Sequence, residues 1–84
     1  MDPDLVTLGR WIRDQRQQQG LTQEELAFRS GLHRTYVGSV ERGERNLSVL
    51  NIIRLARALG VQPAELLQCL GPESAVAVGQ GGEP

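Results

Sequence analysis

Gln23-Glu24-Glu25-Leu26-Ala27-Phe28-Arg29-Ser30-Gly31-Leu32-His33-Arg34-Thr35-Tyr36-Val37-Gly38-Ser39-Val40-Glu41-Arg42 holds two short helical patterns parted by a glycine. Thr22 stands three residues before Glu25, so its oxygen can accept the Glu25 amide while the Glu25 side chain reaches back, a capping box that starts a helix. That helix ends before Gly31, where a positive φ suits glycine. After the turn through Gly31 and Leu32, residues 33–42 set Tyr36, Val37 and Val40 on one helical face, and Gly43 supplies a stop. Leu26, Leu32, Val37 and Val40 fill the corners that two closely crossing helices bury, and Ala27 is small where the second helix must approach. Six such requirements met together, within a capped helix, a four-residue connection and a second short helix, define a helix-turn-helix at residues 23–42. On geometry alone, an ordinary helical hairpin is the alternative.

Outside this pair the periodicity stays helical. Leu5, Leu8 and Ile12, three and four apart, predict a first helix over residues 5–19, closed by Gly20. Ser48 is the N-cap of a fourth helix with Ile52, Ile53, Ala56 and Leu59 on one face, ending at Gly60. Pro63, at a first-turn position, opens a fifth through Ala64, Leu66, Leu67 and Leu70. No segment reads as a strand. The expected fold is therefore all-α, a compact five-helix domain over residues 1–70. The tail, residues 71–84, is rich in glycine and proline and predicts disorder.

A chain of 84 residues accommodates one small domain. Its apolar fraction of 39 % and charged fraction of 23 % are those of a folded soluble protein. No apolar run approaches the ~18 residues of a membrane span, and Met1-Asp2-Pro3-Asp4 lacks the features of a signal peptide, which together imply the cytoplasm. One cysteine, Cys69, and one histidine, His33, complete neither a disulfide nor an ordinary zinc site, so no metal or cofactor is expected. Nor does any second histidine or paired nucleophile support acid-base catalysis, which argues against an enzyme. The net charge of −1 conceals an uneven distribution: residues 29–57 hold six arginines against Glu41 and Glu44, a segment of +4. Such a segment is a candidate phosphate-facing surface, or else a solvated face.

Leu21-Thr22-Gln23-Glu24-Glu25-Leu26-Ala27, Ser30-Gly31-Leu32, Arg34-Thr35-Tyr36-Val37, Glu41-Arg42-Gly43-Glu44-Arg45-Asn46 and Leu55-Ala56-Arg57-Ala58-Leu59-Gly60-Val61 together resemble the lambda-repressor-like family of Cro and Xre type. The resemblance covers about residues 5–70 and implies a five-helix DNA-binding domain whose third helix enters the major groove. The Arg34-Thr35-Tyr36 helix start and the loop of residues 41–46 look most like controller proteins of restriction-modification systems; other short Xre-type regulators are similar.

The resemblance implies base contacts from Arg34 and Thr35. Their chemistry agrees, since an arginine can donate two hydrogen bonds to guanine and a threonine methyl can touch thymine. Ser39, one turn further on, is expected to face the same groove, with a solvated serine as the alternative. Gln23 falls where the family places a phosphate contact, at the positive end of its helix. Tyr36 is expected to offer its hydroxyl to a phosphate while its ring packs, and Arg42, Arg45 and Asn46 to hold the DNA backbone from the loop. Arg16 and Glu41 match a structural ion pair of the family. Two departures stand out: Gly38 interrupts the recognition helix, and His33 occupies an N-cap position where the family often has serine or threonine.

One recognition helix reads few base pairs, so a homodimer is expected, covering Leu50, Leu66, Leu67 and Leu70 beyond what so small a core requires. The alternative places all four in the core. Double-stranded operator DNA is the expected partner. RNA polymerase is a further partner if the protein activates, through Glu24 and Glu25. No membrane or small-molecule ligand is expected. An antitoxin that binds DNA and a toxin, or a helical interaction module without DNA, are the competing readings.

Overall fold

The computed structural model describes residues 1–71; the tail from Pro72, including the expected disorder there, lies outside the described residues. Among the described residues the chain forms five helices and no strand: α1 Pro3–Gln18, α2 Gln23–Ser30, α3 Arg34–Glu41, α4 Val49–Leu59 and α5 Pro63–Gln68. Each boundary has a local cause. Asp2 accepts the Asp4 N–H at 2.8 Å and Pro3 fills the first turn, so α1 begins two residues earlier than its apolar spacing suggests. The capping box before α2 is present in both directions, Glu25 N–H to Thr22 Oγ1 at 3.0 Å and Thr22 N–H to Glu25 Oε1 at 2.8 Å. Gly31 closes α2 at φ 73°. Ser48 caps α4 through the Asn51 N–H at 3.1 Å. His33 precedes α3, exposed and without a side-chain cap bond.

The core draws on all five helices: Leu8 and Ile12 from α1, Leu26 and Ala27 from α2, Val37 and Val40 from α3, Leu55, Ala56 and Leu59 from α4, and Leu66 from α5. Full burial of each larger side chain is worth about 1.5–3 kcal/mol. Leu32 and Tyr36 pack against this cluster from its rim.

Where α1 meets the end of α3, the contact is main chain to main chain. A Cβ on Gly9 would run into the Val40 carbonyl oxygen and lie 2.8 Å from that of Glu41, so only glycine lets the two helices approach this far. After the end of α1, Gln19 Nε2 donates to the Leu59 carbonyl at 2.7 Å and satisfies an open carbonyl at the end of α4.

Candidate nucleic-acid interface

The platform under α3 is a buried polar cluster. The Arg16 guanidinium grips Glu41 at two points, Nε to Oε2 at 2.6 Å and Nη2 to Oε1 at 3.0 Å, and its Nη1 donates to the Leu21 carbonyl at 2.8 Å. Gln23 Nε2 donates to the same Oε1 at 3.0 Å. Four segments are thereby tied through one ion pair: α1, the turn before α2, α2 itself and the end of α3. Gln23, expected at a phosphate, has thus turned its amide toward α3. What it still presents for an anion is the first-turn backbone of α2.

Arg34 and Thr35 occupy the first turn of α3 and are both exposed; Arg34 enters no ion pair among the described residues. Ser39 does not join them. It is 4 % exposed, its Oγ donates to the Tyr36 carbonyl at 2.7 Å and accepts from Arg45 Nε at 3.1 Å. The base contact expected of Ser39 is therefore withdrawn: the loop after α3 folds back and covers it, and its hydroxyl is already used.

That loop brings Arg45 to α3. Its guanidinium carbon lies 5.8 Å from the Tyr36 ring centroid, over the ring, while Nε is held by Ser39 and the two terminal nitrogens remain for an anion. The Tyr36 ring is half-buried against the core, and its hydroxyl accepts from Asn51 Nδ2 at 3.0 Å. Arg42 is exposed and pairs with Glu44, Nε to Oε2 at 3.0 Å and Nη2 to Oε1 at 3.2 Å. Accepting from Arg42 holds the Glu44 carboxyl below the usual glutamate range, and the same bond raises Arg42. An exposed pair of this kind is weakly held and can be exchanged for a phosphate. Asn46 is exposed in the same loop. At Gly38 a Cβ would sit 3.3 Å from Arg42 Nη1 and 3.5 Å from Gln23 Oε1, both ends of side chains rather than main chain, so the contact is far milder than at Gly9.

The expected dimer set divides. Leu50 and Leu67 are 54 % and 43 % exposed, and Val49 beside Leu50 is more exposed still. Leu70 is half-buried against the core. Leu66 is completely buried and must be struck from the interface, because α5 turns it inward and its neighbour Leu67 outward. Sequence reasoning missed Asn51 and Gly9. A polar residue inside the apolar run Val49-Leu50-Asn51-Ile52-Ile53 was the available signal for Asn51; the spacing of α1 held none for Gly9.

A family model described as Helix-turn-helix matches residues 12–66, and the chain belongs to that family, in its lambda-repressor-like, Cro and Xre, form. Among similar proteins, control protein C.BamHI of Bacillus amyloliquefaciens is 55 % identical over 47 residues, 56 % of this chain and 58 % of that one. Control protein C.SmaI of Serratia marcescens is 52 % identical over 56 residues, 67 % of each chain. The matched region thus spans under two thirds of the first relative's length and about two thirds of the second's. The crystal structure of the restriction-modification controller protein C.AhdI from Aeromonas hydrophila superposes with a TM-score of 0.76 at 55 % identity, covering 77 % of this chain and 98 % of that one. The C.Esp1396I tetramer in complex with its natural 35 base-pair operator gives a TM-score of 0.76 at 31 % identity, covering 83 % and 92 %. These relatives point to a family of transcription regulators.

Proposed function

We propose that this chain is a sequence-specific, double-stranded DNA-binding transcription regulator of the restriction-modification controller type, which binds a pseudo-palindromic operator as a homodimer in the cytoplasm and acts by binding, without catalysis. The observation that carries this reading is the pairing of exposed Arg34 and Thr35 at the tip of α3 with a buried platform that fixes the direction of that helix. An arginine so placed discriminates guanine by about 1–3 kcal/mol through a bidentate contact. Tyr36, Arg42, Arg45, Asn46 and the start of α2 supply the sequence-independent part by engaging phosphates. Leu50 and Leu67 supply apolar surface for the dimer. If the protein also activates, Glu24 is the acidic group of α2 that meets polymerase, because the Glu25 carboxylate is held by its own helix start.

Selection of bound sequences from a random duplex library, followed by titration of the enriched site at several salt concentrations, tests the reading. An inverted repeat with half-sites about 10 base pairs apart is the expected result. Absence of enrichment, with weak binding lost at moderate salt, would overturn it.

A further inference from the structure

Asn51 is unusual on α4. It sits between Leu50 and Ile52, half-buried, and its own backbone N–H is already capped by Ser48, so its side chain contributes nothing to starting the helix. What the side chain does instead is donate from Nδ2 to the Tyr36 hydroxyl oxygen. An amide nitrogen has hydrogens only to give, and a phenol oxygen has one hydrogen of its own. With Asn51 donating, that hydrogen points away from α4, and no group among the described residues accepts it. Over the face of the same ring, Ser39 holds Arg45 by its Nε, which leaves the two terminal nitrogens of that guanidinium unspent. Tyr36 and Arg45, on different elements, therefore present donors whose directions are set by a second pair of residues.

We infer that Asn51 is a positioning residue for DNA binding: it orients and polarises the Tyr36 O–H so that the phenol donates to a backbone phosphate, beside the guanidinium that Ser39 steadies. The inference rests on the proposed function and adds a residue that need not touch DNA itself. The physical advantage is preorganisation. A hydroxyl with a free rotor must be ordered upon binding, whereas one fixed by an amide meets the phosphate already aligned, and accepting one bond strengthens the one it gives.

The test is a double-mutant cycle of Asn51→Ala and Tyr36→Phe, read as operator affinity by fluorescence anisotropy with the site enriched from the random library, and as thermal midpoint of the same proteins. Asn51→Ala is expected to weaken operator binding roughly tenfold, to weaken random duplex by a similar factor because phosphates carry no sequence, and to leave the midpoint near that of the parent. In the Tyr36→Phe background the same change is expected to have no further effect on affinity. Asn51→Asp, equal in shape but able only to accept when ionised, would draw the phenol hydrogen inward and is expected to bind more weakly than Asn51→Ala. Equal losses from Asn51→Ala with and without the Tyr36 hydroxyl would overturn the inference, as would parental affinity in Asn51→Ala. A parent protein that enriches no site would overturn both this inference and the proposed function, and shows itself before any variant is made.

Discussion

Arg16 and Glu41, 25 residues apart in the chain, meet face to face with side chains 10 % and 3 % exposed, and the end of the recognition helix is anchored to α1 through that contact. Removing one member of a buried pair leaves the other charged without a partner, at a cost of about 3–5 kcal/mol. Glu41→Ala is accordingly expected to lower the urea midpoint drastically, to near complete unfolding in a domain this small. Arg16→Lys should also lose much of this, because an ammonium cannot span both carboxylate oxygens and the Leu21 carbonyl in one plane. Chemical denaturation of the two variants measures both.

Two glycines inside helices should respond to the same substitution with opposite signs. Gly9→Ala drives a methyl group into the Val40 and Glu41 carbonyls, which are main chain and cannot step aside, so about 3 kcal/mol of destabilisation is expected. Gly38→Ala meets the ends of Arg42 and Gln23 instead, and the exposed Arg42 can swing away. There the gain in helix propensity, up to about 1 kcal/mol, prevails. Thermal unfolding of the pair decides the matter, and a destabilised Gly38→Ala would show that Gln23 has no room to yield.

Reading and holding are separable in the proposed interface. Arg34→Ala is expected to cost about 1–3 kcal/mol on operator and far less on random duplex, erasing preference. Arg45→Ala should weaken both, and flatten the dependence of log affinity on log salt by about one unit. Titrations over a salt series distinguish the two, and equal loss of selectivity in both variants would contradict this division.

The dimer set yields a comparison between adjacent residues. Leu66→Ala opens a cavity in the core and is expected to cost about 2–5 kcal/mol. Leu67→Glu places a charge on exposed surface and should leave monomer stability nearly unchanged while raising the dimer dissociation constant. Sedimentation equilibrium, run beside denaturation, tells the two effects apart.

Acid should loosen the start of α2. The Glu25 carboxyl is held below the ordinary glutamate range, chiefly because it accepts the Thr22 backbone N–H and then through the Thr22 side chain. A folded-state value lower than the unfolded one means that the contribution is complete above the unfolded value and is lost as pH falls through the folded one. Glu25→Gln is therefore expected to reduce the loss of stability between neutral pH and about pH 3. Urea midpoints across that range provide the check.

Features that depend on near neighbours in the chain were legible. Thr22 with Glu25, Gly31, Ser48, Gly60 and Pro63 set the helix limits through hydrogen bonds and dihedral angles confined to a few residues, and the structure shows each of them in place. The apolar corners of the two crossing helices followed from periodicity. What escaped depended on which distant segment arrives. Ser39 shares a helical face with Thr35, yet the loop after α3 returns over it, and helix spacing carries no information about that return. Leu66 and Leu67 are the same residue type side by side, so composition could not say which one the core would claim. Asn51 acquires its meaning only from a tyrosine 15 positions away.

The bare Cα of Gly9 has a consequence for how such a protein can diversify. Because the far end of the recognition helix rests directly on another backbone, its seat is indifferent to which side chains stand at the opposite tip. If Arg34 and Thr35 read bases as proposed, positions 34 and 35 can then be exchanged like type in a printer's forme, each new pair spelling a different target while the frame stays locked.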